Sequence, residues 1–352
     1  MAGNTIRIGI VGAGNNTRLR HVPGFRAIEG VELIGVVNQT LESSARAAQE
    51  FEIPKIYDNW QQLVEDANVD AVMIGTWPNM HCEVTCAALN SGKHVMTEAR
   101  MARTASEAYR MLKTSQAHPE LITQIVPSPF GLAQDQFVRD LISDGFLGML
   151  RELVVIGADD TFWDTSQDLH WRQDSEISGF NVLMTGIMHE SALRWTPQPT
   201  RVFAQTATFQ PNRPGPSPAG NTFATIPDSV QIATQLEGGG RGLYHLSGIA
   251  LFGPGLQLHL YGSKGTIKLQ FTSRERLLIG KAGDAELHEP EIPPDTLGGW
   301  RAEAEFIGAI RGEETVRFTD FETGVKYMEF TEAVSQSASS NRSVDLPLTD
   351  VN

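Results

Sequence analysis

At 352 residues the chain has room for two domains of ordinary size, and 41% hydrophobic with 20% charged residues is the balance of a folded protein rather than a disordered one. A formal net charge of −14, with no basic run to offset it, argues against a nucleic-acid partner. No apolar stretch approaches the ~18 residues of a membrane span, and Cys82 and Cys86 lack the further ligands that zinc needs, so neither a membrane nor a metal is expected.

The opening run, MAGNTIRIGIVG, goes almost directly into a strand and leaves no room for a secretory leader, so the expected setting is cytoplasmic, reduced and soluble. Residues 6–11 (IRIGIV) are apolar and β-branched and read as a buried strand. Gly12-Ala13-Gly14-Asn15-Asn16-Thr17 follows at once, with a helix opening near Arg18. This is the strand–turn–helix setting of a dinucleotide fingerprint. Gly12 allows the tight turn, and Gly14 lets backbone N–H groups approach a pyrophosphate at the helix N-terminus. Thr17 stands at the third glycine position, which predicts a looser contact between helix and strand. Thr17 or Asn16 is then the expected helix cap. His21, beside Arg18 and Arg20, is expected on the exposed face of that helix.

The alternation continues. Val31–Val37 reads as a strand, Glu42–Glu50 as a helix, Val69–Thr76 as a strand and Met80–Ser91 as a helix. His94–Glu98, Thr104–Ala117 and Leu121–Val126 extend the series as strand, helix and strand, ending at Pro127. Strands alternating with helices predict a parallel, doubly wound α/β Rossmann domain over residues 1–127. Ligands sit at the carboxyl ends of such strands, which brings together Gly12, Asn38, Thr76 with Trp77, and Glu98. At the end of the second strand an NAD enzyme carries an acid for the ribose hydroxyls, and that acid repels a 2′-phosphate. Here Asn38 repels neither, and Arg46 lies a turn or two farther on, so the cofactor reading leans to NADP over NAD.

After Pro127 the alternation stops. Phe137–Gly145 reads as a helix, followed by strands near Leu150–Ile156, Arg201–Phe209, Ser229–Gln235, Gly242–Ile249 and Leu256–Leu260. Their spacing predicts an antiparallel sheet in a second, α+β domain over residues 128–352. Proline-rich residues 211–227 read as a surface loop, Gln336–Asn341 as the end of a last helix, and Val344–Leu348 as a terminal strand.

Gly12–Gly14, Pro78-Asn79-Met80-His81, Ala88–Val95 leading to Glu98, Trp171-Arg172, His189, Gly262–Thr266 and Glu303–Phe306 follow one another along the chain. As a set in this order they resemble the Gfo/Idh/MocA family, named for glucose-fructose oxidoreductase, inositol dehydrogenase and a rhizopine-catabolism protein. The resemblance implies a Rossmann domain joined to a domain with a large, mostly antiparallel sheet that builds homodimers or homotetramers. It also implies hydride exchange between nicotinamide and a carbinol carbon of a sugar, cyclitol or similar small molecule. In such enzymes a Glu-Lys-Pro segment supplies a lysine to the reacting hydroxyl, with an Asp and a His four residues later completing the relay.

This chain departs there. Ala99 stands in the lysine position and Thr185 in the Asp position, which leaves His189 alone of the three. Hydride leaves a carbinol only as its O–H proton is taken up, so a proton group is still required. His189 is the first candidate and His170 the second. Glu98, Trp171, Arg172, His81, Asn15 and Asn16 are expected at the cofactor, and Arg100 and Thr185 at the substrate. Glu190, next to His189, is expected to face solvent. Two other readings compete with the dehydrogenase: a lyase, epimerase or hydrolase that retains NAD, and a non-catalytic cofactor-binding homologue.

Overall fold

The computed structural model describes residues 5–272 and 274–349. By contacts the chain divides into two compact units: residues up to Pro127 together with Arg301–Val325, and Ser128–Trp300 together with the chain from Lys326 onward. Residues 301–325, expected in the second domain, are thus grouped with the first.

In chain order the first stretch comprises β1 (Ile6–Val11), α1 (Val22–Arg26), β2 (Val31–Val37), α2 (Leu41–Glu50), β3 (Lys55–Ile56) and α3 (Trp60–Glu65). It continues with β4 (Ala71–Ile74), α4 (Pro78–Asn90), β5 (His94–Thr97), α5 (Ala105–Ala117) and β6 (Thr123–Ile125). The six strands run parallel in the order β3-β2-β1-β4-β5-β6. All four residues of β4 are buried, as both faces of a helix-covered parallel sheet require. Val72, Ile74, Val84, Leu89 and Val95 pack with Leu63 of α3 into one core. β3 and α3 have two and six residues, too short for periodicity to reveal. The one local signal for α3 is its cap, Asn59, whose side chain accepts from Gln62 N. Strand order reverses direction between β1 and β4, the switch point at which doubly wound sheets bind ligands.

The second stretch begins with α6 (Asp135–Ser143) and β7 (Leu150–Ala158). Two short helices, α7 (Ser175–Ser178) and α8 (Thr185–Leu193), come next. β8 (Pro199–Ala207), β9 (Ser229–Leu236), β10 (Arg241–Ser247), β11 (Gly255–Gly262), β12 (Gly265–Phe271) and β13 (Glu275–Lys281) follow. α9 (Ala302–Ile310) packs on α1 in the first unit, and α10 (Phe321–Ser340) precedes β14 (Val344–Asp345). The eight-stranded sheet has the order β13-β12-β11-β7-β10-β9-β8-β14, antiparallel except where β7 lies beside β10. Residues of β9 alternate between buried and exposed along its length, the signature of a sheet with one face on the core and one open. Glu190, expected in solvent, is buried. Its carboxylate accepts from Ser128 N at 2.8 Å and pairs with Arg194 at 2.9 Å, because α8 is buried on most of its sides, polar residues included, and a buried charge needs such partners.

Candidate functional site

The turn after β1 sets the first part of the site. Gly12 has φ +88°, and a Cβ there would lie 2.7 Å from Thr76 N. Gly12 N donates to Val37 O and Arg18 N to Gly14 O, so the turn passes directly into helix. That helix opens with a wide π turn over Thr17–His21 before α1. Neither expected cap residue caps it. The Thr17 hydroxyl reaches back to Gly12 O at 3.2 Å, and the Asn16 amide donates to the Glu98 carboxylate. A side chain at Gly75 would lie 2.3 Å from Gly12 O and 2.3 Å from Thr17 Oγ1. The close approach usually given by a third glycine in the fingerprint is here provided by a glycine at the end of β4. Sequence reading missed Gly75, although a glycine closing an apolar strand was the available signal.

Gly14 differs from these two. A Cβ on it would meet only Gly75 O, at 3.4 Å, so nothing inside the fold demands glycine. Gly14 and Asn15 are exposed, beside Thr76 and Trp77 at the end of β4 and Glu98 at the end of β5. A cradle open at Gly14, with helix N–H groups behind it, fits a dinucleotide pyrophosphate. Asn38 is fully engaged within the chain: Oδ1 accepts from Ala13 N at 2.6 Å and Nδ2 donates to Ser43 O at 3.1 Å. Arg46 pairs with Glu42 on the exposed side of α2.

Behind the cradle lies a charged group that sequence reading placed in solvent. His21 is fully buried. Its Nε2 is 2.8 Å from Glu98 Oε1 and its Nδ1 is 2.5 Å from Glu303 Oε1 on α9. Burial pulls the imidazole pKa down, but the hydrogen bonds to Glu303 and Glu98 outweigh it and hold the ring protonated, raised to about 9. Burial likewise opposes the Glu98 charge, yet the His21 bond keeps that carboxyl below its ordinary range. The partners are 77 and 282 residues from His21, which no local pattern could reveal. His81 is also buried, and its two ring nitrogens lie 2.8 Å from Arg100 O and 3.0 Å from Thr76 O. Both are spent on the backbone, so His81 braces the ends of β4 and β5 and has none left for a nucleotide. Arg100 is buried beside it.

In the second unit, His189 of α8 is buried and stacks on Phe330 at 3.7 Å between ring centres. Nδ1 shares a 2.8 Å hydrogen bond with the Tyr244 hydroxyl, and Nε2 has no hydrogen-bond partner among the described residues. Burial pushes the imidazole down to about 3 and the Tyr244 phenol up, so both are neutral at pH 7. Thr185, one turn earlier, donates to Val182 O at 2.5 Å and keeps only acceptor capacity. His170 caps the turn Trp171–Gln173: its Nδ1 accepts from Arg172 N at 3.1 Å, which leaves Nε2 as the protonated nitrogen. Burial, with the Arg172 charge, pushes His170 down to about 4. It lines a cavity of about 670 Å³ with Trp171, Asp168, Gln173 and Arg213. The Arg172 guanidinium lies 4.1 Å over the Trp171 ring.

Two family models match the chain: an oxidoreductase family with an NAD-binding Rossmann fold over residues 6–124, and a GFO/IDH/MocA C-terminal domain over residues 136–268. A dTDP-3,4-didehydro-2,6-dideoxy-alpha-D-glucose 3-reductase from Saccharopolyspora spinosa is 28% identical over 54% of this chain. The match spans about half of that relative, 55% of its length. A levoglucosan dehydrogenase from Pseudarthrobacter phenanthrenivorans is 22% identical over 69% of this chain and 66% of its own. Among solved structures, a levoglucosan dehydrogenase in complex with NADH and levoglucosan superposes with a TM-score of 0.87 at 20% identity, covering 97% of this chain and all of that one. An oxidoreductase domain protein from Kribbella flavida gives a TM-score of 0.86, also at 20% identity, over 98% of this chain and all of its own.

Proposed function

The chain belongs to the GFO/IDH/MocA oxidoreductase family, and we propose that it is an NAD(P)-dependent oxidoreductase acting on a sugar, cyclitol or similar polyhydroxylated small molecule. The observation that carries this reading is the cradle formed by Gly12, Gly14 and Gly75 at the switch point, with Glu98 beside it. Relatives named as sugar reductases and dehydrogenases support the substrate class. When bound, the nicotinamide accepts or donates the hydride. The chain's part is to hold it and to move the substrate's proton.

With Ala99 in place of lysine, the proton falls to a neutral imidazole. His189 is the candidate, through Nε2, which is the ring nitrogen without a hydrogen-bond partner among the described residues. His170 Nε2, at the wall of its cavity, is the second. Preference for NADP is supported by the absence of an acid at Asn38. The missing lysine also favours a second reading, in which retained NAD serves a lyase, epimerase or hydrolase. An absorbance spectrum of the purified protein separates the two, since that reading requires nicotinamide to be carried through purification.

Gly14→Val tests the central claim. The fold tolerates a Cβ there, so a folded variant is expected, with NADH and NADPH binding weakened more than tenfold, or over ~1.4 kcal/mol. Unchanged affinity in calorimetry removes the reading.

A further inference from the structure

We propose that His21 is a positioning residue for nucleotide binding: held between Glu303 and Glu98, it fixes the Glu98 carboxylate toward the nicotinamide half of the cofactor. This rests on the cofactor reading above.

Glu98 closes β5, on the far side of the β1/β4 switch from β2. In a doubly wound sheet the adenosine ribose lies at the end of β2 and the pyrophosphate at the first turn, so the remaining half of a dinucleotide reaches the β4 and β5 side. A free glutamate there would sample several rotamers. This one accepts from three donors: the Asn16 amide, His21 Nε2 at 2.8 Å and Ala99 N at 3.2 Å. Asn16 belongs to the cradle itself, so the carboxylate and the pyrophosphate turn are tied into one rigid group. Its side chain is 15% exposed while that of His21 is wholly buried, so Glu98 can meet a ligand and His21 acts only through it.

His21 is in turn oriented by Glu303 from α9. That carboxylate comes close because α1 carries Gly24 opposite it: a Cβ on Gly24 would lie 2.7 Å from the Glu303 Cδ. Glycine in the middle of a short helix is destabilising relative to alanine, so its presence is accounted for by the space Glu303 needs. An imidazolium between two carboxylates leaves a net negative charge, which Glu98 presents to hydroxyl donors such as those of a ribose. Removing the central cation would leave two buried carboxylates facing one another, and Glu98 would turn or take up a proton.

Titrations of NADH and NADPH, followed by nicotinamide fluorescence, test this on the wild type, His21→Gln, Glu98→Gln and the double variant. ADP serves as the control ligand that occupies only the adenine side. Losing a hydrogen bond to a charged group predicts that His21→Gln weakens NAD(P)H binding by about tenfold or more. ADP affinity should stay within about twofold, and the double variant should bind no worse than Glu98→Gln, as coupled residues do. Glu303→Gln, which keeps an oxygen to accept from Nδ1, should retain most of the affinity that Glu303→Ala loses. This pair carries the test if His21→Gln does not fold. Wild-type NAD(P)H affinity in folded His21→Gln, or an equal loss for ADP, overturns the proposal and leaves the cofactor reading standing. Failure of the wild type to bind either nucleotide removes both.

Discussion

His189 shows how a residue type can be right for a task while its surroundings alter what it can do. Free histidine titrates near 6.5, which suggests a base at neutral pH. In the fold its ring lies flat on Phe330 and bonds to Tyr244, and burial pushes the pKa to about 3. The lowered value means that the neutral form persists far below pH 6.5, so turnover should show no acid-side fall near that pH from this group. If His189 carries the proton, His189→Ala should lower turnover on an accepted sugar by roughly 10²–10⁴, with cofactor affinity little changed. Ala99→Lys, which restores the family's donor, is the companion, and raised dehydrogenase activity would show that the pocket still accepts a carbinol. Turnover unchanged in His189→Ala alongside a lower melting temperature would reassign the residue to the core. At this scale the sequence was legible where structure is local, as in the tight turn at Gly12. It was not legible at His21, Gly75 or Glu190, whose roles come from partners far along the chain.

At the scale of elements, periodicity and punctuation placed β1 and β2 to the residue and the helices α2, α4 and α5 to within two positions. It missed β12, although Thr266–Phe271 alternates regularly between polar and apolar, and it missed β13, where Leu277, Leu278 and Ile279 in a row hide the alternation. The junction of β2 and α2 carries the cofactor question. Thr40 caps α2 through Ser43, and Asn38 joins that cap to the first turn by bonding Ala13 N and Ser43 O. Asn38→Asp keeps the acceptor for Ala13 N, loses the donor to Ser43 O and places a carboxylate at the end of β2. It should add ribose hydrogen bonds and repel a 2′-phosphate, shifting the ratio of NADP to NAD dissociation constants toward NAD by about tenfold or more. Parallel titrations with the two cofactors measure the shift. A wild type that already prefers NAD strongly would contradict the lean to NADP.

The whole molecule poses the question of the open sheet face. Ladder register aligns Phe203 of β8, Ala233 of β9, Leu243 of β10 and Val154 of β7 in one row across the sheet. Phe203 and Leu243 are 48% and 53% exposed, on strands whose alternate residues form the core of the second unit. Arg201 and Gln205 flank Phe203 on its own strand, so the row is apolar at its centre and polar at its margins, the arrangement of an interface. Sequence alone hinted at this only through the family resemblance, since one exposed Leu or Phe means nothing until register sets them side by side. We propose that a second copy of the chain covers this row, in the homodimer or homotetramer that the family resemblance implies. In a two-fold interface each substitution appears twice on the same patch, so a cation at its centre meets its own copy. Leu243→Arg should therefore shift the mass measured by light scattering from oligomer to monomer. The side chain points away from the core, so far-UV circular dichroism and nucleotide affinity should be unchanged. An oligomer of unaltered mass in Leu243→Arg would mean that assembly uses another surface. A wild type that is monomeric at micromolar concentration would mean that this face is not used for assembly at all.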